Sequence, residues 1–178
     1  MRDLPEPEPL YSAEAIQTRV TELAEQISRD YADVEELRLV GVLKGAFIFL
    51  ADLSRRLSVP HRVDFIALSS YGEGGDDQGA VRLQMDLKAR VSEVHVLVVD
   101  DIVDTGTTLH FVRKMLEAHQ PASIRTCVLT RKKKDRVTDP HVDYIGFEIP
   151  DVWTVGYGLD YGDLFRTLPF IGILKIPS

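Results

Sequence analysis

The chain has 178 residues, 44% of them hydrophobic and 28% charged, a composition typical of a globular protein with one domain and a substantial core. Its net charge of -7 argues against general nucleic-acid binding and requires local donors or a metal ion to bind an anionic ligand. There is no apolar run near the ~20 residues of a membrane span, no signal-peptide core and one cysteine, so we expect a cytoplasmic protein without disulfides or a membrane partner.

Strands and helices are predicted to alternate along residues 1–178, which we expect to form one domain. The acidic, proline-rich residues 1–11 are expected to form an arm, and Ser12 is expected to cap the first helix. Strands are predicted near Leu37–Leu43, Val63–Ser70, Val81–Leu87, Val96–Val99, Ile124–Leu129, Tyr144–Phe147, Trp153–Gly156 and Ile171–Ile176, and helices near Ile16–Tyr31, Phe47–Leu57 and Leu109–Leu116. This order predicts an α/β fold with a mainly parallel sheet flanked by helices. Antiparallel pieces near Val81 and the C-terminus suggest a small hood.

The stretch from Val96 to Leu109, VLVVDDIVDTGTTL, carries the strongest functional signal. It predicts a buried strand, a tight turn and the N-terminus of a helix, where free N–H groups and the helix dipole favour an anion. Thr105, Thr107 and Thr108 add hydroxyl donors, and Gly106 would let the backbone approach a phosphate. Asp100, Asp101 and Asp104 beside this turn suggest a ligand with phosphate and vicinal hydroxyls. Taken alone, the stretch also fits an ordinary strand-to-helix turn.

This stretch resembles the phosphoribosyl pyrophosphate (PRPP) signature of type I phosphoribosyltransferases. An acid at position 104 is typical of the members that use 6-oxopurines. The resemblance to hypoxanthine phosphoribosyltransferases continues from about Leu37 to Leu174. It implies that Lys44 and Gly45 form a pyrophosphate loop after an often cis peptide. It also implies that Ser70 and Tyr71 begin a lid.

The segment from Tyr71 to Ala80, which begins with the second residue of the lid pair, includes four glycines and no apolar pattern, so a mobile hairpin is the plainer interpretation. For Lys44 the plainer interpretation is a surface lysine at the end of a strand. The purine-recognition lysine of the family falls on Lys132 when the preceding strand is matched without gaps. Relatives usually have Asp-Lys-Pro here, whereas this chain has Arg131-Lys132-Lys133, so Arg131 and Lys133 are alternatives. Lys134 and Arg136 are expected to be solvated.

The segment IPDVWTVGYGLDY, residues 149–161, resembles the family's base and metal segment. The resemblance implies that Trp153, where relatives more often have Phe, stacks on the purine. It further implies that Thr154 meets the base edge with its backbone, Asp160 holds Mg²⁺ and Arg166 pairs with pyrophosphate. For a single aromatic such as Trp153, core packing is the common alternative.

Together these features predict a purine-salvage transferase that joins hypoxanthine or guanine to PRPP and releases pyrophosphate. Asp104 would act as general base, Lys132 would donate to the 6-oxo group, and the residues from Thr105 to Thr108 would hold the 5-phosphate. Asp100 and Asp101 would hold the ribose hydroxyls directly or through Mg²⁺. We expect a homodimer or homotetramer.

Two alternatives stay open at this point. The chain would be a PRPP-sensing regulator if Arg131 to Arg136 formed an RNA-binding patch, although its acidity and Asp104 count against this. It would otherwise transfer another base, such as xanthine or adenine. The sequence does not rank hypoxanthine against guanine.

Overall fold

The computed structural model describes residues 5–70, 81–134 and 140–176, which form three helices and nine strands. In chain order these are β1 (Glu8–Tyr11), α1 (Ala13–Asp30), β2 (Leu37–Leu43), α2 (Phe47–Ser54), β3 (His61–Ser70), β4 (Val81–Met85), β5 (His95–Val103), α3 (Thr107–Glu117), β6 (Ser123–Lys132), β7 (Tyr144–Ile149), β8 (Thr154–Val155) and β9 (Ile171–Ile173). Apart from β1, these elements follow the predicted order.

Six strands form the main sheet, in the order β4-β3-β2-β5-β6-β7. The pairs β3–β2, β2–β5, β5–β6 and β6–β7 are parallel, which confirms the mainly parallel sheet. β4 pairs antiparallel with β3. The assignment of the Val81 strand to the hood was thus wrong, because its alternating pattern defines a half-buried strand without revealing which strand it pairs with.

A second, three-stranded sheet with the order β1-β9-β8 forms the small hood. Both of its strand pairs are antiparallel, with Glu8 opposite Ile173 and Thr154 opposite the same residue on the other side. The expectation of an arm at residues 1–11 needs correction, since Glu8–Tyr11 is a strand that is held by hydrogen bonds to β9. The hood places Trp153 and Thr154 beside the main sheet.

Helices cover both faces of the main sheet because its strands are apolar on both sides. Leu97 and Val99 pack with α1 and α2, whereas Val96 and Val98 pack with α3. Ser12 caps α1 as predicted, with its hydroxyl accepting a hydrogen bond from the backbone of Ala15 at 3.2 Å. Within the described residues, no helix combines the length and the apolar character needed to span a membrane.

The strand order fixes where a ligand would bind. From the central pair β2 and β5, the chain proceeds from β2 to β3 on one side and from β5 to β6 on the other. A crevice forms outside the carboxyl ends of strands at such a switch point, and it is the usual ligand site of open parallel sheets. The segments that leave β2 and β5 are those that begin with Lys44 and Asp104.

Cys127 lies in the middle of β6 and is fully buried. Burial raises the pKa of its thiol far above the ordinary value, so the reactive thiolate is suppressed. We expect no alkylation of the native protein by iodoacetamide at pH 8 and complete alkylation after denaturation in urea, as measured by intact mass. Rapid labelling of the native protein would contradict the packing of β6.

Candidate functional site

The turn between β5 and α3 lies at the switch point and has the geometry of an anion site. Gly106 immediately precedes α3 and has a φ of 83°, a left-handed conformation that glycine adopts without steric cost. No side chain caps this helix, although the Thr105 hydroxyl lies 3.4 Å from the backbone nitrogen of Thr107 and 3.1 Å from its hydroxyl. The turn therefore presents threonine hydroxyls and the positive end of the α3 dipole to the crevice.

Asp100 and Asp101 lie near the end of β5, at the floor of the crevice. The Asp100 side chain accepts a hydrogen bond from the backbone of Asp101 at 2.9 Å, and Thr130 donates to the Asp101 carbonyl at 2.9 Å. Burial raises the pKa of Asp100 well above its ordinary value, and the charge of Asp101 raises it further. Because both effects oppose a second negative charge, this pair favours a bound cation or hydroxyl donors.

The segment after β2 packs directly against this carboxylate pair. The Leu43–Lys44 peptide is cis, as the resemblance implies. A Cβ atom on Gly45 would overlap the Asp101 carboxylate, and one on Gly158 would overlap the Gly45 carbonyl. Glycine at these two positions therefore lets three segments of the chain meet at one point.

Replacing Gly45 by alanine should displace the Asp101 side chain while leaving the fold intact, since that carboxylate is the group that must move. A displacement of about 1 Å costs on the order of 10²-fold in a well-oriented site. We expect a loss of that order in kcat/KM for PRPP, measured by pyrophosphate release, with little change in Tm. In an Asp101→Ala background, Gly45→Ala should lower kcat/KM little further. If the losses of the two substitutions were additive, overlap with the Asp101 carboxylate would not be the cause of the Gly45→Ala defect.

Two cavities lie side by side, and Asp101 and Ile102 form part of the lining of each. Cavity A is lined by Asp101, Ile102, Asp104, Lys132, Trp153, Thr154, Leu159 and Asp160. Cavity B is lined by Val42, Leu43, Gly45, Leu68, Val81, Asp100, Asp101, Ile102 and Thr108. The structure thus groups the residues predicted for the base in cavity A, and it places Gly45 and Thr108 around the carboxylate pair in cavity B.

Trp153 is 48% exposed, which excludes the alternative of core packing. Its ring nitrogen donates to the carbonyl of Asp160 at 3.1 Å, and its ring meets Tyr161 edge to face at a centroid distance of 5.4 Å. These contacts orient the indole at the wall of cavity A. Thr154, which follows it, is buried.

Asp104 lies between two lysines that approach its two oxygens. The Lys132 ammonium is 3.0 Å from Oδ2, and the Lys134 ammonium pairs with Oδ1. Both lysines also contact Oδ1 of Asp151, at 3.2 and 3.3 Å. Burial by itself would raise the pKa of Asp104, but the hydrogen bonds from Lys134 and Lys132 outweigh it and hold the pKa below its ordinary value. Asp104 is therefore an ionised acceptor at neutral pH.

Among the alternatives for the purine lysine, the geometry favours Lys132. Its side chain is 11% exposed and lines cavity A, whereas the side chain of Lys133 is 64% exposed and pairs with Glu148 at 3.6 Å. The expectation that Lys134 is simply solvated was wrong, because its ammonium is held by Asp104 and Asp151. Arg136, the other cation expected to be solvated, lies outside the described residues.

Arg166 and Lys44 both form ion pairs with Asp163. Arg166 Nη2 lies 2.8 Å from Asp160 Oδ1 and 2.9 Å from Asp163 Oδ1, while Nη1 donates to the carbonyl of Gly158 at 2.7 Å. The Lys44 ammonium lies 2.9 Å from Asp163 Oδ2. The hydrogen bond from Lys44, followed by that from Arg166, holds the pKa of Asp163 below its ordinary value.

Sequence reasoning missed three residues of these clusters: Lys134, Asp151 and Asp163. Asp151 and Asp163 lie within or just beyond the segment that resembles the base and metal segment, so their proximity to Trp153 and Asp160 was an available signal. Of the predicted lid pair, Ser70 is the last residue of β3, and Tyr71, with the rest of the proposed lid loop, lies outside the described residues.

The predicted ligands of Mg²⁺ all provide carboxylate oxygens, the donors that this ion prefers. Asp101 and Asp160 line the same cavity. Within residues 5–70, 81–134 and 140–176, no three His, Cys, Asp or Glu side chains converge as a ready ligand set. Mg²⁺ commonly uses one or two carboxylates and completes its coordination with water and substrate phosphates. The donor set fits an ion that binds together with a phosphate ligand.

The left-handed glycine turn before α3, the cis peptide before Lys44-Gly45 and the carboxylate pair of Asp100 and Asp101 at one switch point define the class of a type I phosphoribosyltransferase. Comparison with known proteins agrees with this geometry. The sequence model of the phosphoribosyl transferase domain family matches residues 8–162 of this chain.

Individual relatives indicate a narrower group within this family. A hypoxanthine-guanine phosphoribosyltransferase of Dictyostelium discoideum is 41% identical over 94% of this chain and 95% of its own length. A hypoxanthine phosphoribosyltransferase of Salmonella typhimurium is 44% identical over 88% of this chain and 89% of its own. The structure of the Trypanosoma cruzi hypoxanthine phosphoribosyltransferase with its product IMP has a TM-score of 0.87, is 40% identical, and matches over 98% of this chain and 97% of that one. The chain therefore belongs to the phosphoribosyltransferase family, among the hypoxanthine phosphoribosyltransferases.

Proposed function

We propose that this protein transfers the phosphoribosyl group of PRPP to hypoxanthine or guanine, forming IMP or GMP and pyrophosphate. The observation that carries the proposal is the junction of the two cavities at Asp101. Asp104, Lys132 and Trp153 lie in cavity A, and Gly45, Asp100 and Thr108 lie in cavity B. A flat base in cavity A and a phosphoribosyl group in cavity B would meet above Asp101 and Ile102.

On the base side, each residue has a chemical task that its surroundings support. Trp153 offers a ring face for stacking, and the backbone of Thr154 would meet the edge of the base. The Lys132 ammonium would donate to the 6-oxo group. Asp104 would accept the proton of the imidazole-ring nitrogen while that nitrogen forms its bond to carbon 1 of the ribose. The bond between carbon 1 and the pyrophosphate oxygen breaks, and pyrophosphate leaves with its electron pair.

On the PRPP side, Thr105, Gly106, Thr107 and Thr108 would hold the 5-phosphate at the N-terminus of α3. Asp100 and Asp101 would accept hydrogen bonds from the ribose hydroxyls. Lys44, the backbone of Gly45 and Arg166 would bind pyrophosphate, with Arg166 suited to a bidentate contact. Holding both reactants in this orientation lowers the entropic part of the barrier.

Asp100, Asp101 and Asp160 are the residues that would hold Mg²⁺. When bound, the ion would neutralise charge on the leaving pyrophosphate. Ser70 and Tyr71 are proposed to close over the reacting groups. The homodimer or homotetramer and the cytoplasmic location inferred above stay predictions.

The test is an assay with PRPP, MgCl₂ and each free base in turn, in which pyrophosphate release is followed. We expect turnover with hypoxanthine, guanine or both and little with adenine, because a site that donates to an exocyclic oxygen disfavours an amino group. Xanthine is included because its 6-oxo group satisfies the same contact. Efficient use of adenine would overturn the 6-oxopurine assignment.

The RNA-binding alternative required a solvated basic patch from Arg131 to Arg136. Lys132 and Lys134 are instead paired with Asp104 and Asp151 in the described part of that run. Retention of the wild-type protein on an RNA column at physiological salt, without turnover of PRPP, would favour the regulator over the enzyme.

A further inference from the structure

One carboxylate, that of Asp163, engages two cations of the proposed pyrophosphate site. Lys44 Nζ lies 2.9 Å from its Oδ2. Arg166 Nη2 lies 2.9 Å and Nε 3.3 Å from its Oδ1. Each oxygen of the carboxylate therefore has its own cation, which is the pattern of contacts that a phosphate group with two free oxygens would make.

The position of Asp163 is set by the backbone and does not depend on the ion pairs alone. Its N–H donates to Asp160 Oδ2 at 2.7 Å, and its φ of 64° lies in the left-handed region. Asp163 is thus held at the rim of the crevice beside Lys44, although the two residues are 119 positions apart in sequence.

The Lys44–Asp163 ion pair is exposed and hence replaceable, whereas the Arg166 side chain, which also contacts Asp163, is only 17% exposed. The side chains of Lys44 and Asp163 are 67% and 61% exposed. Exposed pairs of this kind contribute little to stability, so a more highly charged ligand can take their place at small cost. Arg166 keeps two further partners, the Gly158 carbonyl and Asp160 Oδ1, which would preserve its orientation during the exchange.

We propose that Asp163 acts as an internal anion that competes with the pyrophosphate group of PRPP for Lys44 and Arg166. This inference rests on the proposed function and assigns a role to a residue that lies outside the predicted site. Asp163 is a positioning residue: it holds the two cations in place before the ligand arrives, and it lowers the affinity of the site for pyrophosphate. Weaker retention of pyrophosphate would favour its release after transfer.

The direct test is titration calorimetry of wild type and Asp163→Asn with inorganic pyrophosphate in MgCl₂, and separately with IMP. Asparagine keeps the backbone hydrogen bond and tolerates a positive φ better than most residues. We expect pyrophosphate to bind on the order of three- to tenfold more tightly to the variant, in line with the loss of weak exposed pairs. The affinity for IMP, which has no pyrophosphate group, should stay the same.

Glu22→Gln is the matched control, because Glu22 is a carboxylate of similar exposure, 55%, that pairs with Arg19 on α1. It changes the net charge equally but contacts none of the cations of the site. The inference is overturned if Glu22→Gln binds pyrophosphate as much more tightly as Asp163→Asn does. It is also overturned if Asp163→Asn binds IMP more tightly by the same factor, or if its affinity for pyrophosphate is unchanged. If Asp163→Asn folds poorly, Asp163→Gly takes its place in the test. It also removes the carboxylate, and glycine adopts the same positive φ without strain.

The wild-type transfer assay separates this inference from the proposed function. If wild type does not release pyrophosphate from PRPP with any 6-oxopurine, the proposed function fails. If wild type turns over normally and Asp163→Asn binds pyrophosphate as wild type does, the inference about Asp163 alone is wrong.

Discussion

Replacement of Asp104 by asparagine is expected to lower kcat by about 10²–10⁴-fold, the usual loss when a general base is removed. The amide keeps the shape of the side chain and some of its hydrogen bonds, but it does not accept a proton at neutral pH. Asp104 lies in cavity A rather than in cavity B, so the affinity for PRPP should change little. Steady-state kinetics with hypoxanthine, together with calorimetric titration of PRPP, would measure both effects.

Asp151→Asn is the matched control for Asp104→Asn. Asp151 also pairs with Lys132 and Lys134, so this variant removes the same charge from the same cluster. If Asp104 is the base, the control should retain most of its kcat. An Asp104→Asn enzyme within threefold of wild type would remove Asp104 from the mechanism, and equal losses in both variants would reduce its role to charge balance.

Replacement of Lys132 by alanine should lower kcat/KM for hypoxanthine and guanine by on the order of 10- to 100-fold, the range expected for loss of a charged hydrogen bond. The loss should arise on the purine side, with the affinity for PRPP nearly unchanged. The alanine also leaves Asp104 and Asp151 with one fewer cation, which adds to the damage. Varying base and PRPP separately in steady-state assays distinguishes the two sides.

Lys133→Ala is the natural control, since the neighbouring side chain is exposed and pairs with Glu148. It removes an identical charge one residue away without affecting cavity A, so it should be close to wild type. A larger defect in Lys133→Ala or Arg131→Ala would show that the purine lysine had been placed one residue off.

Much of the fold was predictable because burial leaves a local periodicity in the sequence. The apolar spacing of Ile16, Val20, Leu23 and Ile27 predicted α1, and the apolar run at Val96 to Val99 predicted the centre of β5. The partner of a strand is not local information, however. Val81–Met85 carries the alternation of an edge strand, but only the folded chain shows that it pairs with β3.

The sequence by itself determined the family, and it predicted the phosphate turn, the carboxylate pair and the base segment, since each is a contiguous motif whose residue types carry the chemistry. Tertiary structure decided which cations meet which anions. Lys134 pairs with Asp104 and Asp151, and Lys44 pairs with Asp163, across loops whose directions no local pattern encodes. The physical reason is that periodicity reports whether a side chain is buried, whereas an ion pair requires that distant segments place two charges within a few ångströms of each other.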